Sequence, residues 1–101
     1  MSKLQSGVIA SLSLFGPTPM TRHGAVRSQQ RSIPQHVIDL LIDFGAEAAA
    51  GRGCHRYFFT KRTWALFSEH LGHPAKEFER FRSAYVVVGD DGQIVTVGWL
   101  H

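Results

Sequence analysis

The sequence is poor in cysteine, in long apolar runs and in charge. Cys54 is the single cysteine of 101 residues, so a disulfide or a thiolate metal cluster within one chain is excluded, as is usual in a reducing compartment. No apolar run approaches the ~20 residues that a membrane helix needs. We therefore expect a cytoplasmic protein that does not enter a membrane. Charged residues make up only 19%, so neutral polar side chains must cover part of its surface.

Acidic residues are missing from two long stretches. Neither aspartate nor glutamate lies between Lys3 and Asp39, and neither lies within 48–68, a stretch that contains Arg52, His55, Arg56, Lys61 and Arg62. The acids gather at Asp39, Asp43 and Glu47, then at 69–79 and 90–91. The net charge of +3 and its uneven distribution predict a two-sided molecule that favours a polyanion such as nucleic acid. Ordinary scatter of surface charge is the alternative interpretation.

Turn and breaker residues predict one small domain after a tail. The segment 16–19 reads Gly-Pro-Thr-Pro and marks a junction, so we expect residues 1–20 to be a flexible tail and 21–101 a single domain. Apolar spacing and turn chemistry predict helices and strands: helices at 21–31, 34–44, 61–71 and 75–82, a strand at 54–60, and a hairpin over 84–99. Residues 46–50 fit a helical extension and an edge strand equally well.

These elements define the fold class as α+β. We expect two N-terminal helices and a further helix packed on one face of a small, mostly antiparallel sheet of three to four strands. The second helix has the clearest signals: Ser32 as N-cap with Gln35 as its capping-box partner, and Gly45 at the end. Its apolar stripe predicts that Asp39 and Asp43 face water.

A basic stripe is the strongest functional signal. His23, Arg27 and Arg31 fall at i, i+4 and i+8 and share one face of the first helix, where like charges repel. Metal-independent RNA cleavage needs a base, an acid and cations at the transition state, and histidine and arginine suit these tasks. We therefore predict His23, Arg27 and Arg31 as catalytic residues.

A second basic group extends this prediction. Arg56, Lys61 and Arg62 are predicted to bind nucleic acid if the sheet face meets the first helix. We expect no cofactor and no metal, because His70 and His73 lack a third ligand in register.

Two other interpretations of the stripe remain open. In the first, the domain is not catalytic, and its basic face binds an acidic protein. It could equally bind a second copy, in a homo-oligomer, through the acidic stripe Asp39, Asp43 and Glu47. In the second, hydrogen bonds tie the stripe into the fold, so that its role is purely structural.

Several short blocks between residues 21 and 99 form a wider pattern. They are His23-x-x-x-Arg27-x-x-Gln30-Arg31-x-Ile33, Gly51-Arg52-Gly53, Tyr57-Phe58-Phe59-x-Lys61-Arg62, Ala84-Tyr85-Val86-Val87-Val88 and Val95-Thr96-Val97-Gly98. This pattern resembles a family of small bacterial domains that are similar to RelE-like toxins and the wider barnase-type ribonuclease group. The resemblance implies a compact ribonuclease-like fold and a toxin–antitoxin context, with RNA and an antitoxin-like protein as partners. On that basis His23, Arg27 and Arg31 match the family's N-terminal polar block.

Overall fold

The structure, a computed structural model, describes residues 17–100 and confirms the α+β class. Within these residues, three α-helices, a 3₁₀ helix and four strands follow one another: α1 (Arg22–Gln30), α2 (Gln35–Phe44), β1 (Ala46–Ala49), β2 (His55–Phe58), α3 (Lys61–Leu71), η1 (His73–Phe81), β3 (Ala84–Val88) and β4 (Ile94–Trp99). The ambiguous segment 46–50 is therefore mostly an edge strand. Residues 1–16 of the predicted tail, and residue 101, lie outside the described residues.

The four strands form an antiparallel meander in the order β1-β2-β3-β4. Tyr57, Val86 and Val97 are aligned across β2, β3 and β4 and face the helices, because alternate residues of a strand point to opposite faces. A bulge between Val87 and Val88 shifts the register, so that Ile94 and Val97, three positions apart, both point into the core. We call the face of the sheet that carries Tyr57, Val86 and Val97 the helical face, and the opposite face the outer face.

The core lies between the helical face of the sheet and the helices, and it consists of two clusters of buried side chains. The buried stripe of α2 packs on the sheet with Phe81 of η1; its members are Val37, Ile38 and Leu41. Trp64 and Phe67 of α3 form a second buried cluster. Phe78 packs against both clusters, so η1 joins them into one apolar interior.

Helix α1 lies beside the edge strand β4. Ile94 N–H donates to the Pro19 carbonyl (2.8 Å), and Thr21 N–H donates to the Ile94 carbonyl (2.9 Å). The Thr21 hydroxyl accepts from Gly24 N–H and thereby caps α1. Gly24 is the buried residue of this helix. Hydrogen bonds to the domain already begin at Thr18, whose N–H donates to Asp39, ahead of the predicted boundary at Thr21.

Two predictions about α2 were wrong. Ser32 does not cap the helix, because it lies in the left-handed region (φ 56°) within the turn after α1. The N-cap is Pro34, which makes no side-chain cap hydrogen bond. Asp39 does not face water, since it is only 5% exposed and accepts hydrogen bonds from Thr18 and Gln35.

The predicted acidic stripe is also broken. Helix α2 ends at Phe44, so Glu47 lies on β1 rather than one helical turn beyond Asp43. With Asp39 buried, the helix presents only Asp43 as an exposed acid. The continuous acidic stripe through which a second copy was expected to bind therefore does not form, whereas binding of an acidic protein to the basic face does not depend on it.

We expect Gly24→Ala to lower the free energy of unfolding by about 2 kcal/mol, a typical cost of overpacking. A Cβ at this position would overlap the Ile94 carbonyl oxygen, which outweighs the helix propensity that alanine adds. Chemical denaturation checks this, with Val26→Ala as the control because Val26 is 43% exposed. A Gly24→Ala protein as stable as the wild type would show that α1 does not depend on the close approach.

Candidate functional site

The predicted stripe forms on α1 as a helical flank. Arg27 Nε donates to His23 Nε2 at 3.4 Å, and Arg27 Nη1 donates to Gln30 Oε1 at 3.4 Å. Both distances are long for hydrogen bonds, so the side chains of His23, Arg27 and Gln30 are adjacent but weakly held. Arg31 caps the helix at its end and is exposed.

Packing against the fold does not explain why α1 carries so many basic and polar side chains. Most of them are exposed and none is acidic: Arg22, His23, Ala25, Val26, Gln29, Gln30 and Arg31. The first turn of α1 carries Arg22 and His23 and no acid, although the positive end of a helix dipole disfavours cations. This helix contributes little apolar burial to the fold and gathers positive charge on its exposed side.

The outer face of the sheet carries Arg56, one member of the second basic group. Arg56 is aligned with Val87 and Thr96 across the strands, and its guanidinium lies 5.8 Å from the centre of the Phe58 ring. The Tyr85 ring covers Gly98, where a Cβ would come within 2.8 Å of the phenol oxygen. Among the described residues, neither apolar cluster includes a side chain of the outer face. The helices α2 and α3 and the 3₁₀ helix η1 therefore do not pack on this face.

Helix geometry indicates that the flank of His23 and Arg27 turns towards this outer face. On the other flank of α1, Ala25 and Gln29 line a groove shared with Arg80 of η1, an element that packs on the helical face. At 100° per residue, His23 and Arg27 lie about 160° round the helix from Ala25 and Gln29. Arg56 is on β2, two strands or about 10 Å from β4. By this geometry His23 and Arg27 lie on the same side of the sheet as Arg56, but they make no contact with it.

Lys61 and Arg62 occupy the first turn of α3. Thr60 caps this helix in a capping box with Thr63, and both basic side chains are exposed. They follow the end of β2, where Phe58 is aligned with Tyr85. Their first turn contains no acidic residue. They therefore lie beyond one end of the outer face and not beside His23.

A polar cluster that the sequence reasoning missed lies on the helical face near the open edge. His55 Nδ1 is 2.7 Å from Glu47 Oε2, with the side chains 47% and 51% exposed, and Tyr57 hydrogen-bonds to the same carboxylate. Burial, then the charge of Glu47 and this hydrogen bond, raise the pKa of Tyr57 above 10.0. Such a carboxylate orients the imidazole and leaves Nε2 free for proton transfer.

Only strand pairing reveals this cluster. Glu47 is aligned with Tyr57 across the β1–β2 hairpin, and His55 is its diagonal neighbour. The alternation of His55, Arg56 and Tyr57 is visible in the sequence, but residues 46–50 fit a helix as well as an edge strand, so the sequence does not determine which residue Glu47 faces. Since alternate residues face opposite sides, the cluster and Arg56 cannot belong to one site on the same face.

Two searches of the described residues 17–100 bear on other kinds of site. They contain no group of three histidine, cysteine, aspartate or glutamate residues placed to hold a metal ion. In the same part of the chain, no helix has the length and apolar character needed to cross a bilayer.

Comparison with protein-family models, with curated proteins and with solved structures finds no match for this chain. The resemblance to RelE-like and barnase-type ribonucleases therefore stays a prediction.

We expect Glu47→Gln to lower the pKa of Tyr57 without restoring its ordinary value, because burial, the largest cause of the shift, remains. In the wild type, the Tyr57 phenol therefore loses its proton at a lower pH in the unfolded chain than in the folded one. Stability linked to Tyr57 is thus complete below pH 10.0 and falls as pH rises through the folded-state pKa. Absorbance titration of phenolate checks the shift, and Tyr57→Phe separates Tyr57 from Tyr85. An unchanged pKa in Glu47→Gln would refute the contact.

Proposed function

We propose that this domain binds RNA along α1 and the outer face of the sheet, and that it is a ribonuclease-like protein of the toxin type. One observation carries the proposal: the buried residue of α1 is Gly24, which approaches the sheet closely, while Arg22, His23 and Arg31 are exposed and Arg27 is only half-buried. A helix retained for packing would bury an apolar stripe. A helix that carries positive charge without a carboxylate suits a polyanionic backbone.

The aromatic and basic residues of the outer face support the same partner. Phe58 and Tyr85 are half-buried side chains on neighbouring strands, and Arg56 lies over the Phe58 ring. Aromatic rings on a sheet surface stack with unpaired bases, while adjacent guanidinium groups contact phosphates. The proposal therefore favours single-stranded RNA over a duplex, whose bases are already stacked.

The stripe supplies part of the chemistry of cleavage. His23 would act as the general base and take the proton of the RNA 2′-hydroxyl on a ring nitrogen. The 2′-oxygen then attacks phosphorus, the bond to the 5′-oxygen breaks, and a 2′,3′-cyclic phosphate forms. Arg27 and Arg31 stabilise the added negative charge. With one imidazole on this flank, water protonates the leaving 5′-oxygen, so cleavage is slow.

We expect Arg27→Ala and Arg56→Ala each to weaken binding of a mixed-sequence single-stranded RNA. Each lost phosphate contact lowers the slope of log affinity against log salt by about 0.7. Fluorescence anisotropy between about 50 and 200 mM salt measures this. Lys76→Ala is the matched control, because Lys76 is an exposed base on η1, an element that packs on the helical face.

Two results of this experiment would contradict the proposal. Equal loss of affinity in the Lys76 control would indicate unspecific attraction by net charge. Absence of RNA binding together with salt-dependent self-association would favour the alternative, an interaction domain that binds an acidic protein or a second copy.

We expect His23→Ala to reduce RNA cleavage by about 10²-fold or more, the usual contribution of a general base. RNA affinity stays near that of the wild type, because the arginines remain. His36→Ala is the control, since His36 is an exposed histidine at the start of α2. Gel analysis detects the cyclic phosphate product, and a 2′-deoxy substrate must resist. Equal cleavage by wild type and His23→Ala would exclude the catalytic role.

A further inference from the structure

A groove of about 530 Å³ runs along the other flank of α1. Its lining includes the apolar residues Met20, Ile33 and Pro34, which we call its apolar floor, and the polar residues Gln29, Ser32 and Arg80. The volume falls within the range of sites that hold small organic ligands. The groove contains an arginine and no acidic lining residue, so it favours an anion with an apolar body.

Arg80 makes no ion pair with a carboxylate in the described part of the chain, so its guanidinium is available to an anionic ligand. Its guanidinium lies 4.6 Å from the centre of the Phe81 ring, while the nearby ion pair joins Arg82 to Glu79 instead. A guanidinium stacked on an aromatic face is restrained in orientation and keeps its N–H donors at the ring's edge. Arg80 is therefore positioned to receive a phosphate.

The two walls of the groove are held together by a chain of contacts. Phe81 stacks on Trp99 with the rings 12° from parallel, and Trp99 Nε1 donates to the Arg31 carbonyl (3.2 Å). Arg80 is thus linked through two aromatic rings to the end of α1. A site whose walls are restrained before binding loses less entropy when a ligand enters.

The polar groups of the groove divide into engaged and unengaged ones. Ser28 donates to the Ile33 carbonyl (2.6 Å), and Gln35 donates to Thr18 and Asp39. The side chains of Gln29 and Ser32 make no hydrogen bond within the described residues. A ligand in the groove would find a free amide, which both donates and accepts, and a free hydroxyl near the apolar floor.

We propose that this groove is a subsite for one nucleotide of the bound RNA, with the phosphate on Arg80, the base over Met20 and Pro34, and its polar edge at Gln29. This inference rests on the proposed function, since it places the RNA over the exposed ridge of α1. The strand would cross from the outer face, past the stripe, into the groove. The base lies on an apolar floor and one amide, so the subsite accepts several bases.

The test is a titration of the full chain with adenosine 5′-monophosphate, adenosine and inorganic phosphate, followed by NMR amide shifts. We expect the monophosphate to shift the amides of Ser32, Ile33 and Arg80, with adenosine and phosphate each binding about tenfold more weakly. Arg80→Gln weakens the monophosphate about tenfold. Gln29→Trp, at an exposed helical position, fills the groove and abolishes binding. Arg82→Gln, outside the groove, binds as the wild type does.

The outcomes separate this subsite from the proposed function. Monophosphate binding that is unchanged in a folded Arg80→Gln and in Gln29→Trp overturns the subsite. So does inorganic phosphate that binds as tightly as the monophosphate, because the groove then holds an anion only. Loss of RNA affinity in Arg27→Ala but not in Arg80→Gln overturns the subsite and keeps the proposed function. If the chain binds no RNA but still takes the monophosphate through Arg80, the proposed function fails alone.

Discussion

The close approach of Gly24 to the carbonyl of Ile94 is the contact on which the candidate site depends. The oxygen also accepts from the N–H and the hydroxyl of Thr21, and the missing Cβ of Gly24 leaves room for it. Three groups at the start of α1 thus converge on one carbonyl at the edge of the sheet. The backbone of β4 anchors the helix, so its side chains need not do so.

This anchoring has consequences for both edges of the sheet. At the β4 edge, the segment before α1 satisfies the outward N–H and C=O of Ile94, which leaves less of that strand open to pairing with another chain. The helix then follows β4 as far as Trp99, whose indole holds the Arg31 carbonyl. One flank of α1 turns to the outer face and the other to the groove. A single helix therefore borders both surfaces that we assign to RNA.

The other polar side chains divide into those used by the fold and those left exposed. Asp39, Gln35 and Thr18 hydrogen-bond to one another where the incoming segment crosses α2, which removes them from any interface. His55, Glu47 and Tyr57 form a cross-strand cluster on the helical face, away from Arg56. The basic groups of α1 and β2 make weaker contacts. The polar groups that hydrogen-bond within the fold have a structural role, and the more weakly held basic groups are the ones to which we assign RNA binding.

Elements with strong local signals could be predicted from the amino-acid sequence. Helix 61–71 and the hairpin after Ala84 follow from apolar period, caps and turn residues, and the basic stripe follows from helical spacing alone. Tertiary structure decided what depends on long-range contact. Thr18 bonds across 21 residues to Asp39, and this buries an acid that periodicity placed in water. Glu47 meets His55 only because β1 pairs with β2. The side of the sheet that α1 faces rests on Gly24 and Ile94, which are far apart in sequence and carry no local signal of their contact.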